Sequence, residues 1–182
     1  MNNMEKYKVQ IEKLGEDRDE FVSSVITNNE GNVLLLKRKA TLKLDPGKYD
    51  MCSGHIKKGE IPAQAMIREL GEEIGITIED ILDISKLGKI PTPHQKFRDK
   101  MCHMYHIKID LSLDEIEEKI KKVEEPEMES VIYLENVNEL RNMLKTSKEI
   151  RNIYTEEVEA ILETVEKRLE NKKEKTKEGN ER

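Results

Sequence analysis

The stretch PAQAMIRELGEEI, residues 62–74, with Gly75 behind it, constrains this chain more than any other, because both ends of a helix are written into it. A proline suits the first helical position, where its missing N–H has no acceptor to lose, and a glycine just past the end supplies the left-handed residue that closes the last turn. Between them Ala63, Ile67, Leu70 and Ile74 recur at spacings of four, three and four, which predicts one apolar stripe facing a core. Glu69, Glu72 and Glu73 fall on another side at i, i+3 and i+4, so their carboxylates can converge. Like charges at these spacings cost only a few tenths of a kcal/mol on an exposed helix. A cation held among them explains the cluster, and so does an ordinary solvated acidic face.

The surroundings of this helix read as a mixed α/β domain. Phe21 to Thr27 and Val33 to Lys37 are rich in Val, Ile and Leu and flank the hairpin-like connector NNEGN. Tyr7, Val9 and Ile11 alternate with polar residues as a further strand would, and Tyr49 to Cys52, Met101 to Ile109 and Ser130 to Leu134 complete the strand expectations. Additional helices are expected near Val137 to Leu144 and from about Thr155 onward. Strands interrupted by helices in this order point to a mixed sheet with helices packed on it. We expect one domain over residues 1–154, its core at about 21–144, and a C-terminal helix with a charged tail at 155–182. The last sixteen residues, KRLENKKEKTKEGNER, hold a single apolar side chain, Leu169, and read as a fraying, solvated helix end.

Composition removes several function classes. A net charge of −6 provides no basic face, so general nucleic-acid binding is not expected. The start, MNNMEKYKVQ, has no secretory apolar core, and no run approaches the roughly 20 apolar residues of a membrane span. Cys52 and Cys102 stand far apart without a CxxC pattern, which fits reduced thiols and a cytoplasmic protein.

The acidic cluster acquires meaning in the longer frame GHIKKGEIPAQAMIRELGEEIGI, from Gly54 to Ile76. Its fixed positions are Gly54, Glu60, Arg68, Glu69, an apolar Leu70, Glu72, Glu73, Gly75 and an apolar Ile76. Chance would produce that combination on the order of once in a million chains of this length. The sequence resembles the Nudix hydrolases, whose box it reproduces without a departure. The resemblance implies an α/β/α sandwich with a mixed sheet, in which the box forms a loop, a helix and a second loop.

The resemblance also implies chemistry. Glutamates of the family hold Mg²⁺ or Mn²⁺, and water is added to a diphosphate linkage in a small-molecule substrate of the nucleoside diphosphate-X type. Such ions prefer hard oxygen ligands and act by neutralising phosphate charge and acidifying water. Carried over by position, Glu72 and Glu73 are metal ligands, Glu69 is a ligand or the general base, and the Gly54 carbonyl joins the metal shell. Glu60 and Arg68 orient the other carboxylates, Arg68 having Glu72 at i+4. A base from a later loop would fall in EEPEMES, at Glu127. Arg38 matches a phosphate-contacting position, and His55 is a further substrate-contact candidate. The family also admits homodimers.

The approach LDPGKYDMCSGHI resembles the branch near isopentenyl diphosphate isomerase. An isomerase would place its catalytic cysteine at Ser53, and a one-residue slip to Cys52 turns the side chain to the other face of a strand. Its metal histidines would precede the box, whereas His55, His94, His103 and His106 lie within or after it. Pro91 resembles a proline of the ADP-ribose pyrophosphatases. A Nudix fold kept as a binding or regulatory module without turnover is the remaining alternative. Base stacking, if present, is expected from Tyr49 or Tyr105.

Overall fold

The computed structural model describes residues 19–180, with side chains as far as Asn171; the strand expected at Tyr7 to Ile11 lies outside these residues. The strands are β1 (Phe21–Thr27), β2 (Val33–Arg38), β3 (Tyr49–Asp50), β4 (Ser53–His55), β5 (Ile81–Pro91), β6 (Met101–Ile109) and β7 (Met128–Leu134). The helices are α1 (Pro62–Ile74), α2 (Leu113–Ile120), α3 (Val137–Thr146) and α4 (Glu156–Asn180). All seven strands join one mixed sheet whose main path runs β3-β2-β1-β6-β5, with β7 on β2 and β4 on β1.

Alternation along the strands creates two cores. Val22 and Ile26 of β1, Leu34 and Leu36 of β2, and Tyr105, Ile107 and Ile109 of β6 face α1 and α2. Phe21 and Val25, Val33 and Leu35, and Cys102 and Met104 point the other way, toward α3 and α4. Because side chains on a strand alternate in direction, a sheet buried on both faces reads as nearly continuous Val, Ile and Leu. That is why β1 and β2 were legible. The result is the expected α/β/α sandwich.

The pairing of β1 decides where a cleft opens. β6 runs parallel to it along its whole length, Phe21 opposite Cys102 through Thr27 opposite Lys108. On its other side only Ile26 and Thr27 pair with β2. Its first three residues, Phe21 to Ser23, pair instead with β4, and β2 diverges to pair its far end with β3. The wedge between β1 and β2 is therefore filled by residues 49–55, and the box glycine Gly54 sits on the sheet opposite Val22.

The apolar stripe of α1 differs from the spacing-based expectation. Ala65, Met66, Leu70 and Ile74 are buried, whereas Ala63 and Ile67 are partly exposed. The buried face is turned toward Glu69, itself only 9% exposed. Three elements were not expected at all, the short strand β4 within the first box loop, the edge strand β5 and the short α2. Helix α4 lays Val158, Ile161, Leu162 and Val165 on the second core, and it extends past the boundary at which a solvated end was expected. Arg168 there donates to Asp83 at 2.8 Å and to Ser85 at 2.7 Å, and Leu169 packs on the same core.

Candidate active site

A cleft of about 850 Å³ runs from the box to the opposite end of the β1/β2 split. Gly54, His55, Arg68, Glu69, Glu72, Glu73, Arg38 and Glu127 all line it, whereas Glu60 stands outside its lining and Tyr49 and Tyr105 pack against the two cores.

The box helix is set over the cleft by its ends. Pro62 occupies the first turn, Gln64 Oε1 accepts the Ile61 N–H at 3.2 Å, and Gly75 adopts φ 70° with its N–H donating to Gly71 O at 3.1 Å. A non-glycine residue is disfavoured at Gly75 on two counts, the left-handed φ and the backbone oxygen of Lys119, 2.8 Å from where a Cβ would stand. Gly54 is required for a different reason. The Glu69 carboxylate lies where a Cβ on Gly54 would be. Only glycine lets the acid descend onto the strand backbone.

Arg68 organises the acids. Its guanidinium donates to Glu60 at 2.6 and 2.9 Å, to Glu69 at 2.5 Å, to Glu72 at 2.8 Å, and to the His55 carbonyl at 2.7 Å. Lys57 adds a bond to Glu72 at 3.0 Å. The expected i,i+4 pair with Glu72 is present, and the contacts to Glu60 and Glu69 extend it. Arg68 and Lys57 thus supply positive charge to three of the four box glutamates.

Glu73 is different. Its Oε2 accepts the Ser53 N–H at 3.2 Å, and burial pushes its carboxyl well above the usual range, with repulsion from Asp50 and Glu69 acting in the same direction. Glu69 is also raised by burial, against the pull of Arg68. For Glu72, desolvation is outweighed by the bonds from Lys57 and Arg68, and its carboxyl titrates low. Glu60 is held low by Arg68. The site therefore concentrates carboxylates at several depths, Glu69 buried and Glu72 exposed, that the side-chain cations balance only in part. Among the described residues no three acidic, histidine or cysteine side chains are already gathered in ligating geometry. Any cation bound at Glu69 and Glu72 would have to displace the guanidinium of Arg68.

Across the cleft, Arg38 is 5% exposed, donating to Leu44 O at 3.3 Å and pairing with Glu127 at 3.2 Å. It is a buried cation of the cleft wall. His55 is exposed, 3.6 Å from Asp19, with its ring 4.0 Å from that of Phe21. Cys52 points into the core beneath α1, its thiol pushed up by burial and by Glu73, and Ser53 is the residue that lines the cleft. Both cysteines are free and buried.

Several lining residues were missed by sequence reasoning. Asp50, His94, Phe97, Arg151 and Asn152 also line the cleft. Arg151 arrives on a segment stitched to two others, with the Tyr49 N–H donating to Glu149 O at 2.7 Å, Arg151 N–H to Tyr49 O at 3.0 Å, and Ile153 N–H to Pro93 O at 2.7 Å. Its guanidinium bonds Asp50 at 2.7 Å and lies 3.4 Å from Asp45, which in turn meets His94 at 2.8 Å. The available signal was LDPGKYD, whose two aspartates precede the box by a few residues. The aromatic rings in the cleft are Phe21 and Phe97, while Tyr105 belongs to the core beneath α1.

These features define a class: a mixed α/β/α sandwich that presents a glutamate-bearing loop, helix and loop against a split in its sheet. A family model described as the NUDIX domain matches residues 18–157, and the chain belongs to that family. It is 39% identical over 62 residues to an 8-oxo-dGTP diphosphatase of Escherichia coli, covering 34% of this chain and 48% of the relative. It is 34% identical over 64 residues to an isopentenyl-diphosphate delta-isomerase of Corynebacterium diphtheriae, covering 35% of each. The chain thus matches less than half the length of these relatives. An Ap4A hydrolase from C. elegans superposes with a TM-score of 0.55 at 18% identity over 83% of this chain and 98% of that one, which establishes the shared fold. No helix among the described residues is long and apolar enough to cross a membrane.

Proposed function

We propose that the chain is a hydrolase that uses Mg²⁺ or Mn²⁺ to cleave a diphosphate linkage in a small molecule of the nucleoside diphosphate-X type. The observation that carries this reading is the Glu69 carboxylate seated over Gly54, with the half-buried Glu73 held by the Ser53 N–H and Glu72 lining the same cleft. The donor set is entirely oxygen, which suits a hard divalent ion. Glu72, Glu73 and the Gly54 carbonyl would hold the ion, with Glu69 serving as a further ligand or as the general base. When bound, it neutralises charge on the diphosphate and lowers the pKa of a coordinated water.

The remaining roles belong to the chain's own side chains. Arg68, fixed by Glu60, keeps Glu69 and Glu72 aimed at the cleft. As the base, Glu69 would take the proton from the attacking water. Glu127 is the second candidate for that proton, since it faces the cleft from the loop before β7 and is held by Arg38. Arg38 meets the phosphate oxygens, exchanging the exposed Glu127 for substrate. His55 closes the box end of the cleft. Cytoplasmic residence is in keeping with two buried free thiols. A homodimer stays a family expectation.

Manganese binding tests the core of this reading independently of substrate. Titration calorimetry on the wild type should show a site that Glu72→Gln and Glu73→Gln each weaken by tenfold or more while leaving the fold intact. Equal manganese affinity in all three proteins would remove these glutamates as ligands.

A further inference from the structure

A second, shallower groove of about 600 Å³ runs along the side of α1 that the sheet does not cover. Ile67 and Gly71 form its helix wall, Ile76 and Ile78 come from the connection to β5, and Val123 from the loop before β7. Arg68, Glu72 and Glu124 line this groove and the catalytic cleft alike, so the two spaces meet at the box acids. A molecule held by those acids can extend into either. Two independent features show an apolar surface kept open. Gly71 stands in the middle of α1, where glycine weakens a helix relative to alanine. Nothing inside the molecule demands it, because a Cβ there would meet no atom nearer than the Ile76 carbonyl oxygen at 3.7 Å, an ordinary contact. What its missing side chain leaves is room in the groove. Ile78, on the opposite wall, is 52% exposed, one of three large apolar side chains left so far in solvent among the described residues, and Ile67 is only partly covered.

We infer that this groove holds a hydrocarbon chain attached to the diphosphate, so that the group X of the substrate is apolar. The inference rests on the hydrolase reading above and names the chemistry of the half that leaves the acids along α1. Apolar carbon is what the middle of the groove offers, since no aromatic ring among the described residues lines it and the Thr77 hydroxyl already donates to Asp80 at 3.2 Å. A sugar or a base laid there would give up hydrogen bonds to water without replacing them. A chain gives up none. The charged residues that the groove shares with the cleft stand where the diphosphate and its cation belong, and Ile67, Gly71, Ile78 and Val123 begin directly beside them. Covering those side chains removes apolar surface from water, which is the driving force for the chain to bind.

Calorimetry in Mg²⁺ with two monoesters of methylenediphosphonate, which water cannot cleave between the phosphorus atoms, tests the assignment. The octyl ester should bind wild type at least tenfold tighter than the methyl ester, a ratio that a few partly buried CH₂ groups supply. In Gly71→Leu, whose side chain fills the groove, and in Ile78→Asp, which sets a charge on its wall, the ratio should fall to threefold or less. Equal binding of the two esters to wild type overturns the inference, as does a tenfold ratio that survives in either folded variant. Should Gly71→Leu fail to fold, the exposed Ile78→Asp decides alone. Sedimentation velocity of wild type and Ile78→Asp should show the same species; a dimer formed only by the wild type would give the groove to a second copy and overturn the inference. Binding of the methyl ester, lost in Glu72→Gln, separates the two readings. If it is present without a chain preference, the groove alone fails; if neither ester binds, the hydrolase reading fails and the groove with it.

Discussion

Replacing Arg68 with alanine in metal-free buffer strips Glu60, Glu69 and Glu72 of their shared cation, and the cost can be worked from the contacts. The bond to Glu72, half exposed, is worth about 0.3–0.5 kcal/mol, as i,i+4 pairs usually are. The pairs with Glu60 and Glu69 are more shielded, with side chains 18% exposed for Arg68 and 20% and 12% for the acids. Each is worth about 1–1.5 kcal/mol as a charge-assisted bond at this depth. The total is about 3 kcal/mol, a fall in Tm of about 6–12 °C for a domain of this size. Circular dichroism melts of wild type and Arg68→Ala in EDTA measure it. Added Mg²⁺ should recover part of the loss, because the freed glutamates then have their cation without competition. A fall of less than about 2 °C in EDTA would refute the view that Arg68 organises the acidic cluster.

Two further outcomes follow from the same site. Because Glu73, Glu69 and Asp50 have raised carboxyls, the folded metal-free protein binds protons more readily than the unfolded chain, and its stability should rise as pH falls from above those folded values toward the unfolded values of about 4.5 and 3.8. Glu60 and Glu72, held low, act in the opposite sense below about 4.5, where their stabilisation is lost as pH falls through their folded values. In Glu73→Gln the rise should be smaller, and urea melts across pH 4–8 would expose an unchanged slope. Gly54→Ala drives a methyl into the Glu69 carboxylate and should cost about 1–3 kcal/mol together with most metal-dependent turnover; wild-type melting and turnover in that variant would contradict the packing described.

The sequence made the box helix plain because its start, its stop and its acids are local. It mis-set the buried face for an instructive reason. The acids were placed on a separate side from the apolar stripe, drawn through Ala63 and Ile67, whereas Glu69 shares the buried side with Met66 and Leu70 because the Gly54 backbone makes room for it. Strand β5 escaped notice since ILDISKLGKIP carries Asp83, two lysines and Gly88, and its pairing with β6 is broken by two register shifts. Such interruptions are normal at a sheet edge and hide the period of two. Helix α2 is eight residues of mostly charged sequence whose Ile116 and Ile120 alone reach full burial. Arg151 was out of reach of any local pattern, since it lies 101 residues from its partner Asp50 and is brought there by backbone pairing to Tyr49 and Pro93.

The central claim is metal-dependent cleavage of a diphosphate, and its most direct measurement is product release from a panel of nucleoside diphosphate sugars, dinucleotides, nucleoside triphosphates and isoprenoid diphosphates. Each is assayed with Mg²⁺, with Mn²⁺ and with EDTA, for the wild type beside Glu72→Gln. The account predicts turnover of at least one class by the wild type, absent in EDTA and reduced by a hundredfold or more in a folded Glu72→Gln protein. Turnover that persists in EDTA or in that variant, or no turnover of any class by well-folded, metal-loaded wild type, would contradict it.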